Sequence, residues 1–477
     1  MSVTYDLLII GGGINGTAIA REAALNGLSV LLVEKDDLAS HTSSASTKLI
    51  HGGLRYLEYY EFGLVREALK ERERLLRAAP HLIYPMHFVL PHENAVRPWW
   101  LVRLGLLLYD TIGGRITLPR SRSLRKSDAA YLAPLQRPGK GFVYSDAWVD
   151  DARLVVLNAL DAQRHGAEIA TRTALVSARR DGDAWTATLS DGRTVTANKL
   201  VNAAGPWVAE ALALTGTNAK SGVRLIKGSH IVVPKVFDGE QAYMLQQPDK
   251  RIVFAIAYAN DTTLIGTTDV PVEKPEDAAI TPDEIDYLCG AANHYFRRQI
   301  TPADVVHTYS GVRPLYDDGA SEAKAVTRDY VLELDDAGPP LLSVFGGKIT
   351  TARHLAEEAL GKLGHPSTAT RDTRFPGGDM RDFDEFLAEA RRTYPLLGAD
   401  QSHRLARAYG TMLFDMIGNA ETMGEDFGGG LTAREVDWMV SHEWARTVED
   451  VIWRRSKTGL AMDERQKARV AEYLEGK

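Results

Sequence analysis

The chain carries a single cysteine, Cys289, among 477 residues. That excludes an intrachain disulfide, a cysteine-based zinc site and a CxxC redox pair. Its 13 histidines never fall in HxH or HExxH spacing, so no metal is expected. Long apolar runs are missing too: no stretch reaches the roughly 18 uninterrupted apolar residues of a membrane-spanning helix. The opening run Leu7-Leu8-Ile9-Ile10 is too short for the core of a secretion signal, lacks a basic start and runs straight into glycines. The protein is therefore expected to stay where it is made. Basic charge is not in excess either. Lys and Arg number 56 against 63 Asp and Glu, a net charge of −7, which argues against nucleic acid as a partner held by global charge. The remainder is ordinary: 44% hydrophobic and 25% charged residues exclude a disordered or fibrous chain. At roughly 150 residues per domain, the length suggests about three units.

Residues 5–34 read as one βαβ unit. Tyr5 to Ile10 is a short apolar strand and Gly11-Gly12-Gly13-Ile14-Asn15-Gly16 a tight glycine turn. Ile14 to Asn26 has helical apolar spacing and stops at Gly27, after which a buried strand, Ser29 to Val33, ends in Glu34. In that context Gly11-x-Gly13-x-x-Gly16 is a dinucleotide signature. Its glycines permit the turn, the close approach of a pyrophosphate, and tight packing of helix on sheet. The helix start at Ile14 and Asn15 offers unpaired N–H groups and a partial positive charge to the phosphates. Glu34 can accept hydrogen bonds from the adenosine ribose and would repel a 2′-phosphate, which disfavours NADP.

Three later features favour a flavin dinucleotide over NAD. Residues 42–53 are small, polar and glycine-ended, suited to a backbone wrapped along an extended cofactor; Ser43, Ser44, Ser46, Lys48, Leu49 and His51 are its candidate contacts. The strand Leu200 to Ala204 runs into Gly205-Pro206-Trp207, where Ala204 and Gly205 allow close approach. Phe345-Gly346-Gly347-Lys348-Ile349-Thr350-Thr351 repeats the strand–glycine–helix logic, with Gly347, Lys348, Thr350 and Thr351 as candidates. A helix start with a lysine beside it can stabilise negative charge on a reduced isoalloxazine. Leu175 and Gly311 complete the expected cofactor lining. With no second G-x-G-x-x-G and no CxxC, electrons should enter from a small organic substrate.

Elsewhere, Leu64 to Ala79 is an amphipathic helix ended by Pro80, 151–166 is helical, and Glu168 to Leu189 reads as alternating strands with a turn at Asp191-Gly192. Residues 222–310 suggest an antiparallel sheet, and the chain reads as helical after Pro376. The segment Arg97 to Leu118, with Trp99-Trp100-Leu101-Val102-Arg103-Leu104, admits two readings: a buried helix, or an interfacial element whose Arg97, Arg103 and Arg115 face anionic lipid. Trp453-Arg454-Arg455-Ser456-Lys457 reads as a solvated helix face or a subunit contact.

Taken together, several long motifs resemble FAD-dependent sn-glycerol-3-phosphate dehydrogenases, most of all the bacterial aerobic type. They are Ile-Ile-Gly-Gly-Gly-Ile-Asn-Gly, Thr-Ser-Ser-Ala-Ser-Thr-Lys-Leu-Ile-His-Gly-Gly-Leu-Arg-Tyr-Leu, Tyr-Ser-Asp-Ala-Trp-Val-Asp-Asp-Ala-Arg-Leu, Ile-Lys-Gly-Ser-His-Ile-Val-Val-Pro, Ser-Gly-Val-Arg-Pro-Leu and Ser-Val-Phe-Gly-Gly-Lys-Ile-Thr-Thr. The resemblance covers nearly the whole chain. It implies an α/β FAD-binding Rossmann-like domain of the glutathione-reductase type, an oxidase-type antiparallel-sheet cap and an all-helical C-terminal domain. The expected division is 1–80, 140–215 and 305–375 for FAD, 81–139 and 216–304 for the cap, and 376–477 for the helical part. Non-covalent FAD, glycerol 3-phosphate as substrate, a membrane quinone as acceptor and a homodimer are also implied. A quinone lies in the bilayer and the sequence offers no spanning segment or export signal, so peripheral attachment to an anionic lipid surface on the inner face of the cytoplasmic membrane is expected.

The same resemblance suggests the substrate contacts: Arg55, Tyr56, Arg313, Arg328 and Lys348, with His230 beside them. A phosphate dianion needs several charge-assisted hydrogen bonds, which arginine supplies bidentately. Each cation has an alternative reading as half of an internal ion pair, Arg328 with Asp329 above all. His230 is either a core hydrogen-bonding residue or a base, and Tyr56 either stacks on the flavin or packs. The implied mechanism passes the C2 hydride to flavin N5 while His230 takes the hydroxyl proton, Arg313 orients the alkoxide and Lys348 stabilises the reduced flavin. Competing readings are an oxidase that uses O₂, an amine or amino-acid oxidase of the same architecture, and a non-catalytic flavin-bound redox sensor.

Overall fold

A computed structural model describes residues 4–93, 97–217, 222–259, 261–317 and 330–477. Arg328 lies outside the described residues. Two large sheets organise the chain. Across the first, the spatial order is Val331–Asp335, Leu341–Phe345, Thr194–Asn202, Thr4–Ile10, Val30–Val33 and Glu168–Ala170. From Leu341–Phe345 to Glu168–Ala170 every neighbouring pair is parallel. Parallel strands are covered on both faces, which is why Leu7-Leu8-Ile9 and Val30-Leu31-Leu32-Val33 are unbroken apolar runs rather than alternating ones. Helices Ile14–Leu25, Asp151–Arg164 and Ala352–Lys362 bury their alanine-rich faces against one side. The hairpin Leu175–Asp181/Ala184–Leu189 folds its Trp185 onto the other. Because the strands are parallel, the loops after Ile10, Asn202 and Phe345 all emerge at one edge of the sheet, the usual ligand edge of such a fold.

The second sheet has ten strands and is antiparallel except where Ala242–Gln246 pairs with Ile83–Pro91. Helix Pro282–Tyr295 covers one face and helix Trp99–Ile112 packs Leu106 and Tyr109 on the other. Two strands expected in the FAD-binding unit belong here instead. Gly141–Val149 pairs with Ile83–Pro91 along its full length, and His307–Asp317 pairs with Gly222–Pro234. The second pairing sets His230 opposite Tyr309, Gly228 opposite Gly311, and Ile226 opposite Arg313. With a side-chain period of two, these residues share one face of the sheet, the face that closes over the ligand edge of the first.

After Pro376 the helices Phe383–Thr393, Ala399–Tyr409, Met412–Ile417, Ala433–His442 and Glu464–Glu475 follow, interrupted by a short hairpin, Asp426–Gly428/Leu431–Thr432. Their core is continuous with Leu154, Leu157 and Leu160 of helix Asp151–Arg164, so the helical part is welded to the first sheet rather than tethered.

Candidate active site

The glycine turn at the first strand end is shaped by contact as well as by torsion. Gly11 sits at φ +110°, and a Cβ there would lie 2.5 Å from the Ala203 carbonyl oxygen. Helix Ile14–Leu25 begins without a capping side chain, so its first N–H groups are left for a ligand; that of Ile14 is taken by Ser43 Oγ at 2.9 Å. Gly11, Gly13, Ile14, Asn15, Glu34 and Ser43 line the resulting cleft, with Leu175, Ala204, Gly205 and Gly347 across from them. Asn15 donates Nδ2–H to the Gly346 carbonyl at 3.0 Å, while its buried Oδ1 has no partner. A buried acceptor left unmatched beside a glycine-walled cleft fits a dinucleotide that carries donors.

Glu34 accepts the N–H of Gly12 at 2.6 Å and of Asp36 at 2.8 Å. Burial pushes its carboxyl above the ordinary range, against the pull of those two N–H groups. The pair fixes the carboxylate and leaves lone pairs for ribose hydroxyls. Among the described residues, Glu34, Asp36 and His41 form one trio whose ligand atoms lie within 4.8 Å of one another, but His41 is already bound to Asp36 at 2.8 Å.

Three expected cofactor contacts line neither this cleft nor the cavity that continues it. Gly16 is the packing glycine, since a Cβ there would strike the Gly11 carbonyl. Ser44 Oγ donates to the His41 carbonyl at 3.2 Å. Lys48 is buried and turned inward, its ammonium bound to Asp151 at 2.7 Å and to the Ser44 carbonyl at 2.9 Å. A buried ammonium must keep its counter-ion, so the Lys48 charge is committed to Asp151 and staples the 44–48 loop.

Beyond Ile14, Ser43 and Gly347 the cleft continues into a cavity of about 270 Å³ between the two sheets. Ser46, Leu49, Gly311, Thr350 and Thr351 contribute walls, and His51, Tyr56, His230, Arg313 and Lys348 bring chemistry. The His230 ring stacks on Tyr309, centroids 4.8 Å apart. Its Nε2 shares a 3.0 Å hydrogen bond with Thr47 Oγ1, and its Nδ1 is enclosed without a partner. Burial, with the cations of Lys48 and Arg313 nearby, holds this imidazole well below its usual range. His51 is lowered too, by burial first and then by Lys348 and Arg72, against the attraction of Asp146. Both imidazoles are therefore neutral at pH 7.

Arg313 reaches the cavity over Gly228, where a Cβ would lie 2.6 Å from its Nη2. Nη2 donates to Asp269 Oδ1 at 2.6 Å and to the Thr268 carbonyl at 3.0 Å. The ion-pair reading and the cavity reading thus both hold, because Nε and Nη1 remain uncommitted among the described residues. Lys348 places its ammonium 4.3 Å from the Tyr56 ring centroid. Arg55 lies half-buried on the short helical segment Leu54–Tyr59 and does not line the cavity. Sequence reasoning missed Thr47 and Asp269 and assigned His51 to the cofactor alone. Thr47 sits inside the small polar stretch already singled out; for Asp269 no sequence signal exists, because its partner is 44 residues away.

Comparison with known proteins gives the family. Residues 6–353 match the family of FAD dependent oxidoreductases, and residues 368–475 match the C-terminal domain of alpha-glycerophosphate oxidase. A D-erythritol 1-phosphate dehydrogenase of Brucella abortus is 50% identical over 99% of this chain and 98% of its own length. A glycerol-3-phosphate dehydrogenase of Pseudomonas aeruginosa is 51% identical, with 100% and 96% covered. The aerobic glycerol-3-phosphate dehydrogenase of Escherichia coli is 48% identical, with 99% and 97% covered. Among solved structures, the glycerol-3-phosphate dehydrogenase of Bacillus halodurans complexed with FAD superposes with a TM-score of 0.74 at 27% identity, covering 99% of this chain and 94% of that one.

Proposed function

The chain belongs to the FAD-dependent glycerol-3-phosphate dehydrogenases, and on that premise we propose that it oxidises sn-glycerol 3-phosphate at C2 to dihydroxyacetone phosphate and delivers the two electrons to a membrane quinone. FAD, when bound, supplies the hydride acceptor. The observation that carries the reading is the pairing, in one cavity, of two cations with two neutral imidazoles: Arg313 and Lys348 with His230 and His51. The cations suit a phosphate dianion. A neutral imidazole suits removal of a secondary hydroxyl proton. His230 is held by Tyr309 beneath and Thr47 at Nε2, so the proton passes to a ring whose orientation is already fixed. An amine or amino-acid substrate would need no such pair of cations.

Anaerobic mixing with glycerol 3-phosphate should bleach the flavin absorbance, and glycerol should do so very poorly. Equal reduction by glycerol would remove the phosphate from the proposal. D-erythritol 1-phosphate, the substrate in the name of the Brucella relative, serves as the competitor, and a kcat/KM for it above that for glycerol 3-phosphate would reassign the carbon chain length.

The acceptor reading rests on the surface of helix Trp99–Ile112. Trp100 is 65% exposed and Leu104 56%, and Leu101, Leu107 and Leu108 are exposed as well. Tyr59, Tyr60 and Phe62, from the segment that packs on this helix, add exposed rings. A cluster of this kind marks an interaction site, and its exposed aromatic residues suit a lipid headgroup layer. Trp99 and Arg103 are not part of it: Trp99 stacks on Phe142 at 4.0 Å, and Arg103 is bound to Ser121. No helix among the described residues is long and apolar enough to cross a membrane. Flotation with anionic vesicles should therefore depend on the helix surface, and Trp100→Ser/Leu104→Ser should lower the bound fraction severalfold. Equal flotation of both proteins would move the anchor elsewhere. Failure of the wild type to float, with peroxide released in air, would favour the oxidase.

A further inference from the structure

The helical C-terminal part lines neither cavity described above, yet one of its most heavily bonded contacts falls on the loop that follows Glu34. We propose that this part is a component of the cofactor site and that Asp37 is the positioning residue through which it acts. The inference rests on FAD binding alone, not on the identity of the substrate.

Asp37 is 3% exposed and takes three charge-assisted hydrogen bonds from the C-terminal part. Arg455 supplies Nη1 at 2.5 Å and Nη2 at 2.8 Å, and Arg454 supplies Nε at 2.7 Å. Arg455 is itself fully buried and is anchored by its Nε to the Glu443 carbonyl at 3.0 Å. Arg454 also binds Asp450, whose carboxylate accepts the N–H groups of Arg446 at 2.6 Å and Thr447 at 2.8 Å. Asp450 in turn takes Arg172 Nη2 at 2.6 Å. The Arg172 N–H donates to the Asp36 carbonyl, and the Thr173 N–H to the Glu34 carbonyl, both at 2.7 Å.

This buried network therefore grips the two segments that wall the adenosine end of the cleft. One runs from Glu34 to Asp37 and leads into Ser40 and His41; the other is Arg172–Thr173, followed by the cleft residues Ala174 and Leu175. Glu34 depends on that backbone, because one of its two fixing N–H groups belongs to Asp36. Removing one partner from a buried charged pair leaves the other uncompensated, so the loop would have to open toward water, carrying Glu34 with it. An interdomain weld with no bearing on the cofactor would not need to converge on these two segments.

Full-length Asp37→Asn and Arg454→Met, stripped of flavin, should be titrated with FAD and with ADP, which lacks the isoalloxazine and reads the adenosine end alone. The proposal expects both ligands to bind at least tenfold more weakly to Asp37→Asn, a smaller loss in Arg454→Met, where Arg455 remains, and partial recovery in Arg455→Lys relative to Arg455→Met. Apoprotein Tm and far-UV circular dichroism identify any variant that fails to fold, and Arg454→Met carries the test if Asp37→Asn does so. A purely structural weld would lower the apoprotein Tm yet leave ADP affinity within twofold of wild type. That result overturns the proposal, as does weaker FAD binding with ADP binding unchanged.

Discussion

His230→Ala is expected to slow flavin reduction by glycerol 3-phosphate by roughly two to four orders of magnitude, the usual contribution of a positioned base, while substrate binding changes little. The pH dependence should carry the same signature. The base acts in its neutral form, and burial beside Lys48 and Arg313 holds the His230 imidazole well below its ordinary range. A lowered value keeps the active form populated as pH falls. The acid limb of kcat should therefore lie below the usual imidazole value of about 6.5. Reading kcat rather than kcat/KM avoids the ionisation of the free substrate phosphate, which titrates near pH 6. His51→Ala is the necessary companion, because that ring faces the same cavity and is also neutral. Stopped-flow rates that collapse in His51→Ala and persist in His230→Ala would transfer the role to His51.

Arg313→Met is expected to raise the KM for glycerol 3-phosphate sharply. Losing a charge-assisted hydrogen bond to a desolvated phosphate costs roughly 2–4 kcal/mol, or about thirtyfold to a thousandfold at 1.4 kcal/mol per decade. The loss should sit at the lower end, because Arg313 is about two-fifths exposed and shares its guanidinium with Asp269. Arg55→Leu, which family resemblance makes equally damaging, should do less, since Arg55 does not line the cavity. Steady-state KM for the two variants decides the order. A larger effect at Arg55 would mean that substrate binding draws the Leu54–Tyr59 segment inward.

The dinucleotide cleft was legible because its information is local. Gly11-x-Gly13-x-x-Gly16, the preceding apolar strand and Glu34 lie within one short stretch, and each residue does there what its type dictates. The helix–strand grammar held for the same reason, including the buried parallel strands with their unbroken apolar runs. Sheet membership was harder. Gly141–Val149 is almost wholly buried, and a run of that kind fits the middle of either sheet; the choice depends on hydrogen bonds to Ile83–Pro91. Lys48 shows a related limit, since a lysine in a polar stretch reads as a ligand contact until Asp151, more than 100 residues away, claims its charge.

By itself, then, the sequence determined the cofactor-binding unit, the catalogue of cations and imidazoles available for chemistry, and the lack of a cysteine pair or of an apolar run of membrane-spanning length. These follow from residue type and short-range spacing, which act before the chain is folded. Only the tertiary structure decided which of those groups share a cavity, which are spent on buried ion pairs, and which apolar residues remain on the surface. His230 meets Thr47, Arg313 meets Asp269 and Arg455 meets Asp37 across long stretches of chain. A charge cannot be assigned to a ligand or to a partner until strand register and domain packing have fixed what stands beside it.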